Sequence, residues 1–389
     1  MKKILVLFLA VLLVSVTSCE NPFLKKMLVE EEKGKPVPEK PQPQEPANPE
    51  NPAVPASKHT INFGVEGGHG TLKAQVDGKE INSGDSVEQG QSVVFTAEPA
   101  PDYVVEQWAN GGTVIGEAGT DKTYTHTVTA DADIKVKFQS LFVEGGASLI
   151  LSPDKLDITV KVTTADNSSV TVEGCTETTL TSGAETVLSA KGRRVILKGK
   201  ITELYCDNNQ LTALDVQGCT ALQGLSCVGN HLTALNVQGC TALQGLSCNN
   251  NQLTALDVQG CTALQGLVCD SNRLTALNVQ DLPALQELSC VGNQLTALNV
   301  QGCTALKYLR CWDNRLNADA FKKLFDDLPV RAEGDDAKCY LYIEYTGVTE
   351  GNHTNFTAPP ELANAFNNAK TVKKWKMYKR IIGSVEVEI

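Results

Sequence analysis

Leu204, Leu225, Leu246, Leu267, Leu288 and Leu309 recur every 21 residues, each in the same company. Starting three residues earlier, a turn reads L-x-x-L-x-C-x-x-N-x-L-x-x-L-x-V-x-x-C-x-x, with Ile201 opening the first turn. Six turns run in register, and the sixth diverges after Leu316. A single turn of this length cannot bury its own apolar side chains. Stacking turn upon turn buries them in one continuous core, with one strand per turn. Alternation along each strand then sends Leu204 and Cys206 inward and Tyr205 and Asp207 outward, and likewise in every later turn.

The cysteines follow from this geometry. Cys206, Cys227, Cys248, Cys269, Cys290 and Cys311 stack in one inward column. Cys219, Cys240, Cys261 and Cys303 form a second, with Leu282 in the remaining place. A leucine standing in for a cysteine marks a site that wants a small apolar side chain, which free cysteine provides. Disulfides are the next alternative, but in-register neighbours about 4.8 Å apart with parallel Cβ directions suit them poorly. A metal is further off, since its ligands must converge on a point. Asn209, Asn230, Asn251, Asn272, Asn293 and Asn314 stand where each strand ends, and their amides suit backbone groups that a bend leaves unpaired. The pattern is that of the leucine-rich repeat, and the ladder resembles the cysteine-bearing 21-residue repeats of internalin-like adhesins.

Near-identical repeats make their differences informative. The opposite side of the coil barely varies ("LTAL", "VQ"), whereas the outward strand positions do. Small residues fill the middle turns, and aromatic and charged ones the two ends. The candidate ligand-binding residues on this concave face are Tyr205, Asp207, Asn249, Asp270, Glu287, Tyr308, Arg310 and Trp312. Tyr308, Arg310 and Trp312 lie on the last full strand and are of the types that anchor interfaces; burial of Trp312 under a C-terminal cap is the competing reading. Five strand spacings give a face roughly 25 Å long.

Upstream, residues 1–18 read as a signal peptide, with Lys2 and Lys3 before the apolar "ILVLFLAVLLVSV". "VTSC" resembles a bacterial lipobox, which implies lipidation at Cys19. Residues 19–57 read as a stalk, because eight prolines between Pro36 and Pro55 favour extended chain. Twenty such residues reach roughly 60 Å. Residues 58–140 are short alternating strands with turn signals at Asp77-Gly78 and Gly111-Gly112. The run from "GHGTLKAQVDG" to "ADADIKVKF" resembles the divergent internalin-type B-repeat module, which implies a small β-grasp-like unit with Trp108 as its core aromatic. Residues 141–200 are again strand-like and lead straight into the repeats at 201–316, as an N-terminal cap would.

After Leu316, residues 317–389 read as an α+β C-terminal cap. Asn317 is a helix N-cap, Phe321, Leu324, Phe325 and Leu328 form its apolar stripe, and Pro329 is its stop. "KCYLYIEY" reads as a strand, "PPELANAFNNA" as a helix and "TVKKWKMY" as a final strand. Lys373, Lys374 and Lys376 make a basic stretch with a weak claim to polyanion binding; a solvated strand face is the plainer reading. The expected fold class is mostly β and multidomain: a small β-grasp-like module, a capped leucine-rich-repeat solenoid and a small α+β cap.

The net charge of −11 argues against nucleic acid as a partner. The five histidines are scattered outside any metal or catalytic spacing, and no G-x-S-x-G elbow is present, so neither enzyme activity, cofactor nor metal is expected. The whole resembles leucine-rich-repeat surface lipoproteins of host-associated diderm bacteria. That resemblance implies a monomer anchored to the outer membrane by lipid alone, binding a protein ligand on host cells or matrix. The alternatives are an envelope-assembly lipoprotein that binds the bacterium's own surface, and polyanion binding through the C-terminal lysines.

Overall fold

The chain is described from a computed structural model over residues 57–344, 350–381 and 385–389. The signal segment, Cys19 and the proline run lie outside the described residues. The chain is mostly β, with two α-helices among the described residues.

The 21-residue period emerges as a row of in-register parallel strands: β1 (Ile201–Tyr205), β2 (Gly224–Ser226), β3 (Gly245–Ser247), β4 (Gly266–Val268), β5 (Glu287–Ser289) and β6 (Tyr308–Arg310). Leu204 pairs with Leu225, that with Leu246, and so on to Leu309, so the repeat period and the strand register coincide. The row does not stop there. β7 (Lys338–Glu344) and β8 (Lys376–Ile381) extend it in parallel, and β9 (Val385–Glu388) closes it antiparallel. At the other end Asp157–Thr164 pairs antiparallel with β1 and with Glu185–Ser189, giving an 11-stranded sheet.

Each turn needs its neighbours. In the third turn Leu243, Leu246, Cys248, Leu253, Leu256, Val258 and Cys261 are all buried, and they join the residues above and below in one core. At about 1.5–3 kcal/mol per buried leucine or valine, that burial is what holds short three-residue strands together. On the far side of each turn Asp215, Asn236, Asp257, Asn278 and Asn299 pair in parallel bridges. All five repeat one local device: the side-chain oxygen accepts the N–H of the glutamine two residues on, at 2.8–3.1 Å.

Residues 146–198 supply strands to both sides of the first turn. Gly146–Ile150 pairs with Ala213–Asp215, while Asp157–Thr164 pairs with β1, so the exposed end of the core is covered. At the C-terminal end α1 (Ala318–Asp327) begins where the Asn317 side chain accepts the Ala320 N–H at 2.9 Å, and it buries Phe321, Leu324 and Phe325. α2 (Pro360–Thr371) packs beside it, and Phe356 makes ring contacts with Phe321, Phe325 and Phe366. The expected final strand starts later than "TVKK", because Thr371 is the last residue of α2.

Upstream, two sheets enclose a separate apolar cluster around Ile61, Phe95, Trp108, Ile134 and Val136. Lys58–Glu66 runs parallel to Ala132–Ser140, bringing the two ends of this segment together at its centre. Trp108 is fully buried, and its indole N–H donates to the Asp121 carbonyl at 2.8 Å.

Candidate functional site

The inward columns are filling. Every cysteine among the described residues is free and buried. Several thiols donate to a backbone carbonyl of an adjoining turn, as Cys269 does to Ser289 and Cys290 to Arg310. Burial pushes the Cys219, Cys240 and Cys248 thiols up to about 12, so they stay protonated and unreactive at neutral pH. Among the described residues no group of three or more His, Cys, Asp or Glu converges on a metal position.

The asparagines clamp the turns together. The Asn251 amide donates to the carbonyls of Cys227 at 2.9 Å and Cys248 at 3.1 Å, and its oxygen accepts the Leu232 N–H at 3.0 Å. Asn272, Asn293 and Asn314 repeat this arrangement one turn on each time. The series has a member that the repeat spacing does not reveal. Asn352, from the connection after β7, donates to the carbonyls of Cys311 and Leu341 and accepts the Leu316 N–H at 2.9 Å.

The outward side is where these turns differ. In its middle, Gly245 and Gly266 have open space where a side chain would stand, with nothing within 4 Å of an added Cβ. At the first end Tyr205 is 39% exposed, and the Lys161 ammonium lies 5.5 Å from its ring centre. Asn249 and Glu287 also face outward, with no side-chain hydrogen bond among the described residues.

Two of the expected ligand residues are engaged within the sheet. Asp207 accepts from Ser226 Oγ at 2.6 Å and from the Val228 N–H at 2.7 Å. Asp270 accepts in the same way from Ser289 Oγ and the Val291 N–H. Each carboxylate bridges its own turn to the next. Burial raises the Asp270 carboxyl above the ordinary range, and its hydrogen bonds partly offset this.

Of the two readings of Trp312, ligand anchor or residue buried under the C-terminal cap, its place fits the second. It is 8% exposed, because Tyr340 packs edge-on against it and the Arg380 guanidinium covers its ring at 4.9 Å. Tyr308 and Arg310 remain half-buried on the outward side, with the Arg310 guanidinium 4.6 Å from the Tyr308 ring centre and its Nε bonded to the Tyr308 hydroxyl at 2.9 Å. The next outward residues along this row, Tyr340 and Tyr378, stack at 5.1 Å, and the Tyr340 hydroxyl donates to Glu386 at 2.7 Å. β6 is thus not the last strand of the face. Seven spacings from β1 to β8 make it roughly 34 Å long.

Each of the three C-terminal lysines is engaged by a different group. The Lys373 ammonium caps the end of α1 through the carbonyls of Phe325 and Asp326, and burial lowers its pKa. Lys374 pairs with Glu333 at 3.2 Å, and Lys376 pairs with Asp336 at 2.6 Å. Each of these ammonium groups thus has a partner within the chain.

A family model described as the divergent InlB B-repeat domain matches residues 65–141. Among solved structures, the functional domain of InlJ from Listeria monocytogenes, which includes a cysteine ladder, is 39% identical. That match has a TM-score of 0.28 and covers 29% of this chain and 25% of that one, and the fold rests on the strand register above, independently of it. The chain thus spans about a quarter of that relative's length. No curated protein matches the chain. With a divergent InlB B-repeat domain at 65–141 followed by a 21-residue repeat that stacks buried cysteines, the chain is internalin-like.

Proposed function

We propose that this chain is a binding protein of the bacterial cell surface, and that it recognises a protein partner on the outward face of its long sheet. The repeat stack is read as a leucine-rich-repeat solenoid, the segment before it as a β-grasp-like module, and the chain as a monomer held at the outer membrane by lipid on Cys19. The partner is a protein of host cells or matrix, and the role is adhesion. The observation that carries the reading is the contrast between the two sides of the stack. The far side repeats one hydrogen-bonded device turn after turn, while the outward side is open over Gly245 and Gly266 and bears aromatic and cationic residues at its ends. A flat centre lets a partner approach the backbone closely, and the flanking side chains supply anchors.

A bulky side chain placed on the flat centre tests this. Gly245→Trp enters open space from unstrained backbone, so it leaves the fold intact while blocking the face. Thr275→Trp, at an exposed position on the far side, is the control. The full chain is expected to bind host cells or matrix proteins, Gly245→Trp to lose that binding, and Thr275→Trp to keep it. Equal binding by all three proteins would refute the reading.

A further inference from the structure

Arg193 and Arg194, just ahead of the first repeat turn, fasten the upstream β module to the stack. The Arg194 guanidinium donates to the Ser140 carbonyl at 2.9 Å and to the Gln139 side chain, and Arg193 pairs with Asp121. The connection is packed as well. Leu141 and Val143 are buried, and an added Cβ at Gly218 of the first turn would stand 1.8 Å from the Val143 carbonyl oxygen. The module so held and the far side of the first three turns enclose a cleft of about 880 Å³. Pro99, Pro101 and Tyr103 line one wall, and His69 stacks on the Tyr103 ring at 4.2 Å, which fixes that ring in place. Ala213, Ala234 and Ala255, the same place in three successive turns, line the other.

The charges of the cleft are balanced within the chain. Asp102, Asp215 and Asp257 are met by Lys122, Arg193 and Arg194. Of these six, only Lys122 makes no ion pair or side-chain hydrogen bond among the described residues. His231 and Gln252 also line the cleft, and their side chains make no hydrogen bond among the described residues. Arg273 and Arg315 hold the equivalent place in the fourth and sixth turns, beyond the cleft.

We infer that this cleft is a second binding site, one that takes an uncharged small molecule with a largely apolar body and a polar group. It does not depend on the outward face. Its volume lies within the range of about 300–1,000 Å³ that holds drug-sized ligands, whose sites gather at domain junctions. The alanine row spans two strand spacings, roughly 10 Å, which is room for a small molecule but for only about three residues of extended peptide. A net charge on the ligand would meet as much repulsion as attraction, whereas apolar area gains about 25 cal/mol per Å² on burial. His231 and Gln252 then orient the ligand through its polar group.

The test titrates the full chain with two fluorescent probes: phenylnaphthylamine, which is uncharged and carries one N–H, and anilinonaphthalene sulfonate, which adds a negative charge to a similar ring system. Phenylnaphthylamine is expected to bind saturably, one probe per chain, and the sulfonate at least about tenfold less tightly. Ala234 is exposed on the cleft wall, so Ala234→Trp fills the space without disturbing the core. It is expected to weaken phenylnaphthylamine binding at least about tenfold. Ala276→Trp, at the same place in the fourth turn and beyond the cleft, is expected to leave it unchanged. Each variant is checked for an unchanged unfolding midpoint, and Ala255→Trp fills the cleft from the next turn should Ala234→Trp loosen the module. Lack of saturable binding overturns the proposal, as does undiminished binding in the folded cleft variants or equal binding of the sulfonate. Gly245→Trp is expected to keep phenylnaphthylamine binding whatever it does to binding on cells, so the cleft and the outward face stand or fall separately.

Discussion

At the scale of single residues, the repeat spends two side chains per turn on opposite tasks. The asparagine satisfies backbone groups and the cysteine fills space, and substitutions separate the two. Asn251→Ala orphans the buried Leu232 N–H and takes one of two amide donors from each of the Cys227 and Cys248 carbonyls, which keep Asn230 and Asn272. It is expected to cost about 2 kcal/mol, since an orphaned buried group costs about 1–3 kcal/mol. Urea unfolding of the variant measures this, and a loss under about 1 kcal/mol would mean that water replaces the amide. The thiols make a prediction about pH. The Cys248 thiol is held up at about 12 by burial, against an ordinary value near 9. The native state therefore keeps a proton that the unfolded chain gives up, so stability is complete below about pH 9 and falls as pH rises toward 12. Each such thiol contributes a slope of about 1.4 kcal/mol per pH unit in that window. Cys248→Ala is expected to flatten the decline measured by denaturant titrations between pH 8 and 10.5, and an unchanged slope would contradict the assignment. These roles were legible in the sequence because both residues recur at a fixed phase, and Leu282 in a cysteine place reveals what the place requires.

At the scale of elements, the repeat strands declare themselves and the strands of the cap do not. Leu309, Cys339 and Met377 are neighbours in one row, yet they are separated by 30 and 38 residues because α1 and α2 are inserted between their strands. No fixed period survives such insertions, which is why the face reads as ending at β6. Asn352 escapes notice for the same reason: it sits in an irregular connection and is defined only by the carbonyls it reaches. Trp312 illustrates the other limit. Its burial depends on Tyr340 and Arg380, far along the chain, and local alternation sees only an outward position. Trp312→Ala is accordingly expected to destabilise the protein by about 3 kcal/mol through lost packing. Hydrogen exchange is expected to show the loss concentrated in β7 and β8. A variant of native stability would mean that Trp312 is a surface anchor after all.

At the scale of the molecule, a repeat stack is close to one-dimensional, with each turn contacting mainly its neighbours. Removal of one whole period, residues 243–263, rejoins the second turn to the fourth at identical phase. The shortened chain is expected to fold cooperatively and to keep its covered ends, with a lower unfolding midpoint, as thermal unfolding followed by circular dichroism will show. Deletion of 20 residues instead of 21 shifts every inward side chain downstream and is expected to abolish folding. The proposed function turns on the outward face. Its position was legible from the variable strand residues, but its length, its paired aspartates and its stacked arginines were not, because each depends on contacts between turns or with the cap. Site-specific photocrosslinking tests that face most directly. A photoreactive phenylalanine analogue is placed at Ser247, on the outward side of β3, and in a second protein at Thr275, on the far side, and each is illuminated on cells that bind the chain. The expected result is a discrete protein adduct from position 247 and none from 275. Adducts from 275 alone would put recognition on the other side of the stack and contradict the reading.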